Sequence, residues 1–499
     1  MAYRHGPYVS EIPTSIVSPV NCESAMPVFV GTAPIHFSET GLEDLDKKVN
    51  YPVLTYLYEE PVKKLGFLRD SRKWSDFTLC ECVYSQFVLY AVALAVFINV
   101  LDPRRHKKTV EGRTYEIVEK QTLLGENVIL DAVNAKTAEE GDALVLGTDY
   151  SLAWNSDGVA VLNVIEGGAA ENLSSVWVTF DVIDPSMVTA NDIIGGYNVA
   201  TKRYEGLELL NSVFTKYRLV PGAVVVPKWS EDPAVAAVMY AKADSVNGVF
   251  RAMAHVDIPS VAEEGKGVIE YTDAPEWKNK KNLVYDKQIV HWPKVKLGDD
   301  IFCLSTQTAG LAGKVDESHG GVPVDVFSNH NLQMDALVLA DGTEIDLDLY
   351  TQANYLNGEG ITTAVNWIGG WRAWGVQTGA YPANTDPKDS AIAIRRMFNW
   401  VGNTILLTYF QKTDRPLIKR NIETIVDSLN IWLNGLARQE YLIGHPQVTF
   451  REEDNPVTDL IAGIVRFHIR ITPPPSMREL EFILEFDVEQ MQTLFASAA

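Results

Sequence analysis

The sequence predicts a multi-domain chain of α/β and α+β type. A mixed, mostly parallel sheet core carries an inserted antiparallel β domain, a C-terminal α+β domain and extended N- and C-terminal strand arms. Three observations predict it. Apolar runs of strand length alternate with helical periodicity on both sides of a central stretch, the pattern of strands joined by crossover helices. Between 103 and 187 that periodicity disappears, and short β-type runs are separated by turn residues. After Ser390, two amphipathic helices lead into alternating strand-type segments.

In chain order, residues 1–23 hold Gly6-Pro7-Tyr8-Val9-Ser10-Glu11-Ile12, a short extended stretch with prolines at 7, 13 and 19. It carries too little apolar surface to order alone, so it is either a frayed end or a strand that reaches another chain. The core takes 24–102 together with 188–385. Pro27 to Ala33 is its first strand. Asp76 then caps a helix from Phe77 to about Tyr90, and a buried strand from about Ala93 to Val100 ends at Asp102-Pro103. The apolar run Val83 to Leu101 has the length of a membrane span, but Tyr84, Ser85, Gln86 and Asn99 interrupt it. A helix feeding a buried strand is the better reading.

The insert, 103–187, has β-type runs at Glu126–Leu130, Ala143–Gly147, Gly158–Leu162 and Val176–Phe180, a spacing that suggests a small sandwich or barrel. Its basic opening, Arg104, Arg105, Lys107 and Lys108, reads as a solvated boundary loop rather than a phosphate site. From Ile193 to about Trp374 the α/β pattern returns. The apolar run Leu219–Pro227 is followed by a helix from Pro233, with Val235, Val238, Met239 and Ala243, and then by a strand through Gly248–Asp257.

In the C-terminal domain, 386–478, the first helix spans Ala391 to Phe410, with Ile394, Met397, Phe398, Val401, Ile405 and Tyr409 at helical spacing. A break at Lys412–Pro416 follows, with Asp414 as cap and Pro416 in the next first turn. The second helix runs from about Leu417 to Leu442, and Gly444 and Pro446 stop it. Ile464 to Thr472 alternates like a strand, and Pro473-Pro474-Pro475 is a rigid spacer. The arm 479–499 then sets Leu480, Phe482, Leu484, Phe486 and Val488 on one face of a strand, alternating mostly with acids. A strand placed behind a proline spacer is suited to pair with another chain.

Composition narrows the function. The 499 residues are 46% hydrophobic and 22% charged, as in a folded soluble protein of about two to four domains. A formal charge of −22 disfavours nucleic acid as main partner, because phosphates require clustered cations. Cys22, Cys80, Cys82 and Cys303 give no disulfide framework and are expected to be reduced thiols. Met1-Ala2-Tyr3-Arg4-His5 shows no secretory signal. No phosphate loop, His-Glu-x-x-His, paired Cys-x-x-Cys or Gly-x-Ser-x-Gly occurs. The loop carrying His319 and His330, with Asp316, Glu317 and Asp325, has a composition that could hold a divalent ion but also that of an ordinary surface loop. No catalytic, cofactor-binding or metal-ligating residue is assigned.

Several stretches, in order, resemble the sheath proteins of contractile tails, found in bacteriophages and related injection machines. They are the Gly6, Tyr8, Val9, Glu11 stretch, the strand Pro27–Ala33, Leu146–Leu152, Asp232–Ala237, Trp374–Thr378, Arg395–Phe398, the helix ending near Gly444, and the terminal strand. Together they cover most of the chain. Gln377 stands where the family usually has Arg.

The resemblance implies a structural subunit without catalysis or cofactor. It would polymerise helically around a tail tube and contract to drive the tube through a bacterial envelope, the rearrangement fuelled by new contacts between subunits. Neighbours would be joined by exchanged strands through Tyr8, Val9, Glu11 and Ile12 at one end and Leu480, Phe482, Leu484, Phe486 and Val488 at the other. The insert would decorate the outside. Partners would be other copies, the tube protein, the baseplate and the tail terminator, with no direct nucleic acid and no membrane insertion. Its place would be the virion tail, after assembly in the host cytoplasm.

The C-terminal domain of such proteins faces the tube, which makes Arg395, Arg396, Lys412, Arg415, Lys419 and Arg420 candidate tube contacts. The same side chains could instead cap helix ends or pair with Glu423 and Asp427. Two rival readings belong to other classes: an α/β hydrolase-like enzyme with an accessory β domain, and a monomeric carbohydrate- or surface-binding virion protein. The missing nucleophile motif weighs against the first and the terminal strand against the second.

Overall fold

The computed structural model describes residues 17–263 and 265–494. Its centre is an eight-stranded sheet in the order Pro52–Thr55, Ala95–Asn99, Pro27–Gly31, Ala223–Val225, Met253–Asp257, Gln288–His291, Ile361–Trp367, Gly370–Trp374. All pairings are parallel except those of the two outermost strands. The inner strands are buried along their whole length, as expected where both faces of a parallel sheet are covered.

Sequence periodicity located four of these strands, those at Pro27, Ala95, Ala223 and Met253, and did less well with the caps. The helix expected from Phe77 begins at Thr78 and widens at Tyr84–Leu89 into a π-helical turn, ahead of the strand at Ala95. Asp76 does not cap it. Thr32, just beyond the first strand, accepts from the Thr78 amide at 3.1 Å, and the Thr78 hydroxyl accepts from the Thr32 amide at 3.2 Å. A residue distant in sequence thus takes the capping role and ties helix to sheet. The helix expected at Pro233 spans Pro233–Asp244, with the Asp232 carboxylate accepting from the Ala234 amide at 2.8 Å.

The long helix Leu304–Ser318 packs on the sheet next to the Tyr90–Val92 turn. A Cβ on Gly310 would lie 2.7 Å from the Tyr90 ring, and one on Gly313 would lie 2.9 Å from Val92, so both glycines permit this close approach.

The insert consists of two three-stranded antiparallel sheets: Lys107–Glu116, Ser175–Ile183 and Asn134–Lys136, and Gln121–Glu126, Val159–Val164 and Tyr150–Trp154. They enclose an apolar cluster of their own that includes Val128, Leu162, Val176 and Phe180. The run Ala143–Gly147 is not a strand. Asp149 accepts from the Val145 amide at 2.7 Å and folds the segment into a turn. Nor does Glu126–Leu130 continue as strand, because Asn127 turns into the left-handed region at φ 56°.

The C-terminal helices are Ile392–Tyr409 and Lys419–Arg438. Met397, Trp400, Val401, Leu429, Leu433 and Leu436 join the apolar cluster that also holds the sheet strands, so these helices are packed into the body. Asp414 does not cap the second helix. Its backbone is left-handed, at φ 60°, and the helix starts beyond it, leaving Pro416 outside the first turn. The helix ends at Arg438, ahead of Gly444, where Glu440 turns left-handed at φ 62°. Of Ile464–Thr472 only His468–Arg470 is strand, paired antiparallel with Gln447–Thr449. No helix among the described residues is long and apolar enough to cross a membrane.

Candidate functional site

The C-terminal tail leaves the body at Thr472, whose carbonyl accepts from the Ile443 amide at 2.8 Å. Pro473 is buried, and from Pro475 onward every side chain through Met491 is exposed. No hydrogen bond ties residues 474–486 to the rest of the described chain. Phe482 is 82% exposed and Leu484 95%, the reverse of what large apolar side chains do when they have somewhere to pack. The expected terminal strand is therefore an extended segment with no strand partner in the single chain, and Val488–Leu494 closes it with 3-10 turns. Its alternation of apolar and acidic residues supplies a strand's pattern, but a strand needs a neighbour to bond to.

Tyr8, Val9, Glu11 and Ile12 lie outside the described residues. The chain following them is anchored. The Val17 amide donates to Ser428 Oγ at 3.0 Å, the Val20 amide to Thr408 Oγ1 at 2.9 Å, and Trp400 Nε1 to the Cys22 carbonyl at 2.9 Å. Residues 17–22 thus cross both C-terminal helices and are pinned there.

The basic candidates separate into two groups. Arg395 and Arg396 are interior, 4% and 6% exposed, which corrects the expectation that they reach a tube. Arg395 pairs with Asp389 at 3.2 Å and Asp286 at 3.4 Å, and Arg396 pairs with the buried Asp316. Their spacing on a helix marked a basic excess but not Asp286 and Asp316, distant in sequence, that they meet inside. Lys412, by contrast, is half-buried, and Arg415, Lys419 and Arg420 are exposed on the link between the helices and the start of the second. Lys419 lies 3.6 Å from Glu423, a solvent-screened pair that leaves it free to reorient. Phe410, 81% exposed, and the exposed Leu417 and Ile418 lie on the same link and helix start.

Chemistry-bearing side chains do gather elsewhere, where the central strands end. Ser305 donates to Asp257, and Lys294 lies 2.7 Å from Glu231 and 3.3 Å from Cys303 Sγ. The Cys303 amide donates to Glu81 at 2.6 Å. Burial pushes Glu81 up to about 8 and Asp257 up to about 6, and holds His255 down to about 3. A hydrolase would need a nucleophile that substrate can reach, and Ser305 has no exposed surface. The cluster is an interior polar network bridging strands and helices.

Asp316 and Glu317 lie in the helix Leu304–Ser318, while Asp325 faces His330 at 3.1 Å and His319 Nδ1 meets the Val315 carbonyl at 3.0 Å. No group of three or more ligand-type side chains comes together around a metal position among the described residues.

Solved structures of similar overall fold exist. The chain matches a sheath complex of an extracellular contractile injection system in the contracted state, with TM-score 0.57, 14% identity, and coverage of 98% of this chain and 99% of that one. The baseplate structure of the anti-feeding prophage contains a chain with TM-score 0.54 and 13% identity, covering 98% of this chain and all of that one. In sequence, the tail sheath protein of Burkholderia phage BcepMu is 26% identical over 511 aligned residues, covering 99% of this chain and 98% of its own. The chain has the fold of a contractile-tail sheath protein. No protein-family model matches it. The resemblance seen in short motifs therefore extends, as similarity of fold, along nearly the whole chain.

Proposed function

We propose that this protein is the structural subunit of a contractile tail sheath. It polymerises helically around a tail tube, docks on a baseplate, and contracts to drive the tube through a bacterial envelope. The single observation that supports this reading is the tail: five large apolar residues at alternate positions from Leu480 to Val488, all exposed and none packed into the body of the chain. Such a segment is stabilised by adding to a sheet edge of another subunit, where each backbone hydrogen bond contributes about 0.5–1.5 kcal/mol net. Repetition over many subunits gives a mesh that stays closed while the bodies shift.

The N-terminal stretch around Tyr8, Val9, Glu11 and Ile12 serves as the matching strand, and the pinned residues 17–22 carry its load to the C-terminal helices. Lys412, Arg415, Lys419 and Arg420, a local basic excess in an acidic chain, are the tube contacts in this reading. The insert 103–187 lies on the outer face. Contraction runs on burial of new subunit contacts and consumes no nucleotide. In the virion the protein sits in the tail, after assembly in the host cytoplasm.

Negative-stain electron microscopy of the purified chain, intact and with residues 479–499 removed, tests the proposal. Striated tubes from the intact chain that disappear on truncation are the expected result. Tubes that persist without the tail would remove strand exchange from the mechanism. Discrete particles from the intact chain, even with tube protein added, would overturn the sheath reading itself.

A further inference from the structure

At the opposite end of the sheet from the buried polar network, a cavity of about 460 Å³ opens where the strands at Met253 and Gln288 begin and the helix at Ile392 starts. Its charged lining is Arg251, Lys287, Lys388 and Arg395 against Asp286 and Asp389. Lys287 lies 2.7 Å from Asp286 and 2.9 Å from Asp244, which lies outside the lining. Lys388 and Arg395 both reach Asp389. Arg251 has no carboxylate partner among the described residues, and its backbone is held by Asn403, whose side chain accepts from the Arg251 amide at 3.0 Å and donates to its carbonyl at 2.8 Å. The buried Arg395 Nε has no hydrogen-bond partner either. Counting Asp244 beside the lining, four cations stand against three carboxylates, so one positive charge is left uncompensated in a chain whose net charge is −22.

We propose that this cavity is a carboxylate socket, and that its occupant is an acidic side chain from the C-terminal tail of a second copy of this chain. The tail carries Glu481, Glu485 and Asp487, all exposed and without an ion-pair partner among the described residues. Extended from Pro474 to Val488, it reaches about 50 Å at a strand's rise per residue, enough to cross onto another subunit. Charge complementarity selects the pair, and an Arg in fixed geometry favours a carboxylate through paired N–H donors. The proposal rests on the sheath reading, because only an assembly presents tails to neighbouring sockets in number. Backbone pairing of the tail supplies adhesion, and the socket adds register: it accepts an acid at one position along the strand and rejects the large apolar residues between.

A labelled peptide of residues 476–494 titrated onto the full chain, read by fluorescence anisotropy, tests this. Saturable binding that weakens with salt is expected, as is a loss of about tenfold or more in Arg251→Glu and Lys388→Glu, the size expected when interface charges are reversed. Arg251→Ala gives a milder loss, and the thermal midpoint of the Arg251 variants stays at the wild-type value because that side chain is exposed. A peptide with Glu481, Glu485 and Asp487 changed to their amides should bind poorly. No binding, equal binding to the charge-reversed chains, or equal binding of the amide peptide would each overturn the socket. Whether the intact chain forms tubes is scored separately, so a failed socket and a failed sheath reading give different results.

Discussion

Arg396 and Asp316 form an ion pair sealed inside the protein, their side chains 6% and 3% exposed, with Arg396 Nη1 3.2 Å from Asp316 Oδ1 and a second, shorter contact beside it. Ser24 donates to the same carboxylate. One residue pair thus joins the first C-terminal helix, the long core helix and the chain just ahead of the first strand. Burial raises the Asp316 carboxyl above its ordinary range while Arg396 opposes that rise. The pair is therefore strong only because both members are present.

Removing either partner leaves an uncompensated charge in the interior. Asp316→Ala or Arg396→Ala should cost about 3–5 kcal/mol, measured by denaturant unfolding. The double change Asp316→Leu with Arg396→Met should recover most of that loss, since an apolar pair of similar volume meets no desolvation penalty. A double variant as unstable as the singles would show that the ion pair itself stabilises the joint.

Charge reversal should distinguish the two basic groups. Lys419→Glu with Arg420→Glu leaves the thermal midpoint unchanged, because both side chains are exposed, yet weakens co-sedimentation with tube protein. Arg395→Glu places a like charge beside Asp286 and Asp389 and should lower the midpoint before any assembly is attempted. Unchanged co-assembly of the exposed pair would show that these residues do not grip the tube.

Deleting residues 479–499 should not lower the thermal midpoint of the monomer, since Leu480 to Val488 pack against nothing in the single chain. A marked drop on truncation would mean that the tail folds back onto its own body.

Stability should peak near neutral pH. Glu81 rises from 4.5 to about 8 in the folded protein, so the stability it contributes is complete below 4.5 and lost as pH climbs through about 8. His36 and His255, ordinarily at 6.5, are both held near 3 by burial, so their contribution is complete above 6.5 and lost as pH falls through about 3. Melting temperatures followed from about pH 6.5 to about pH 9 should decline, and Glu81→Gln should flatten that limb while the acid limb remains.

Gly310→Val tests the closest helix approach in the core. Its first side-chain carbon would lie 2.7 Å from the Tyr90 ring, whose hydroxyl donates to Gln307 at 2.5 Å. Displacing the ring breaks that bond and overpacks the contact, at about 1–3 kcal/mol by thermal unfolding.

Elements specified by their own residues were readable in the sequence. The apolar run at Pro27–Gly31 and the helix at Ile392–Tyr409 appear close to their expected bounds, because burial on two faces or one stripe leaves a local period. Features set by partners distant in sequence were not readable. Thr32 rather than Asp76 starts the helix at Thr78, and Asp316 and Asp286 hold Arg396 and Arg395 inside. Tyr8 to Ile12 fall outside the described residues, and the tail shows its strand pattern without a strand. The socket was missed for the same reason as the interior arginines. Its charges come from residues 251, 287, 388 and 395, which no local window brings together.

The acids spaced along the tail also bear on how two copies of it can meet. If two tails meet as neighbouring strands in matched register, Glu481, Glu485 and Asp487 each face their own kind, and like charges directly opposed are destabilising. A segment this apolar would otherwise template fibres of itself. Repulsion between identical tails therefore opposes their pairing with one another and makes a strand of different sequence the better partner.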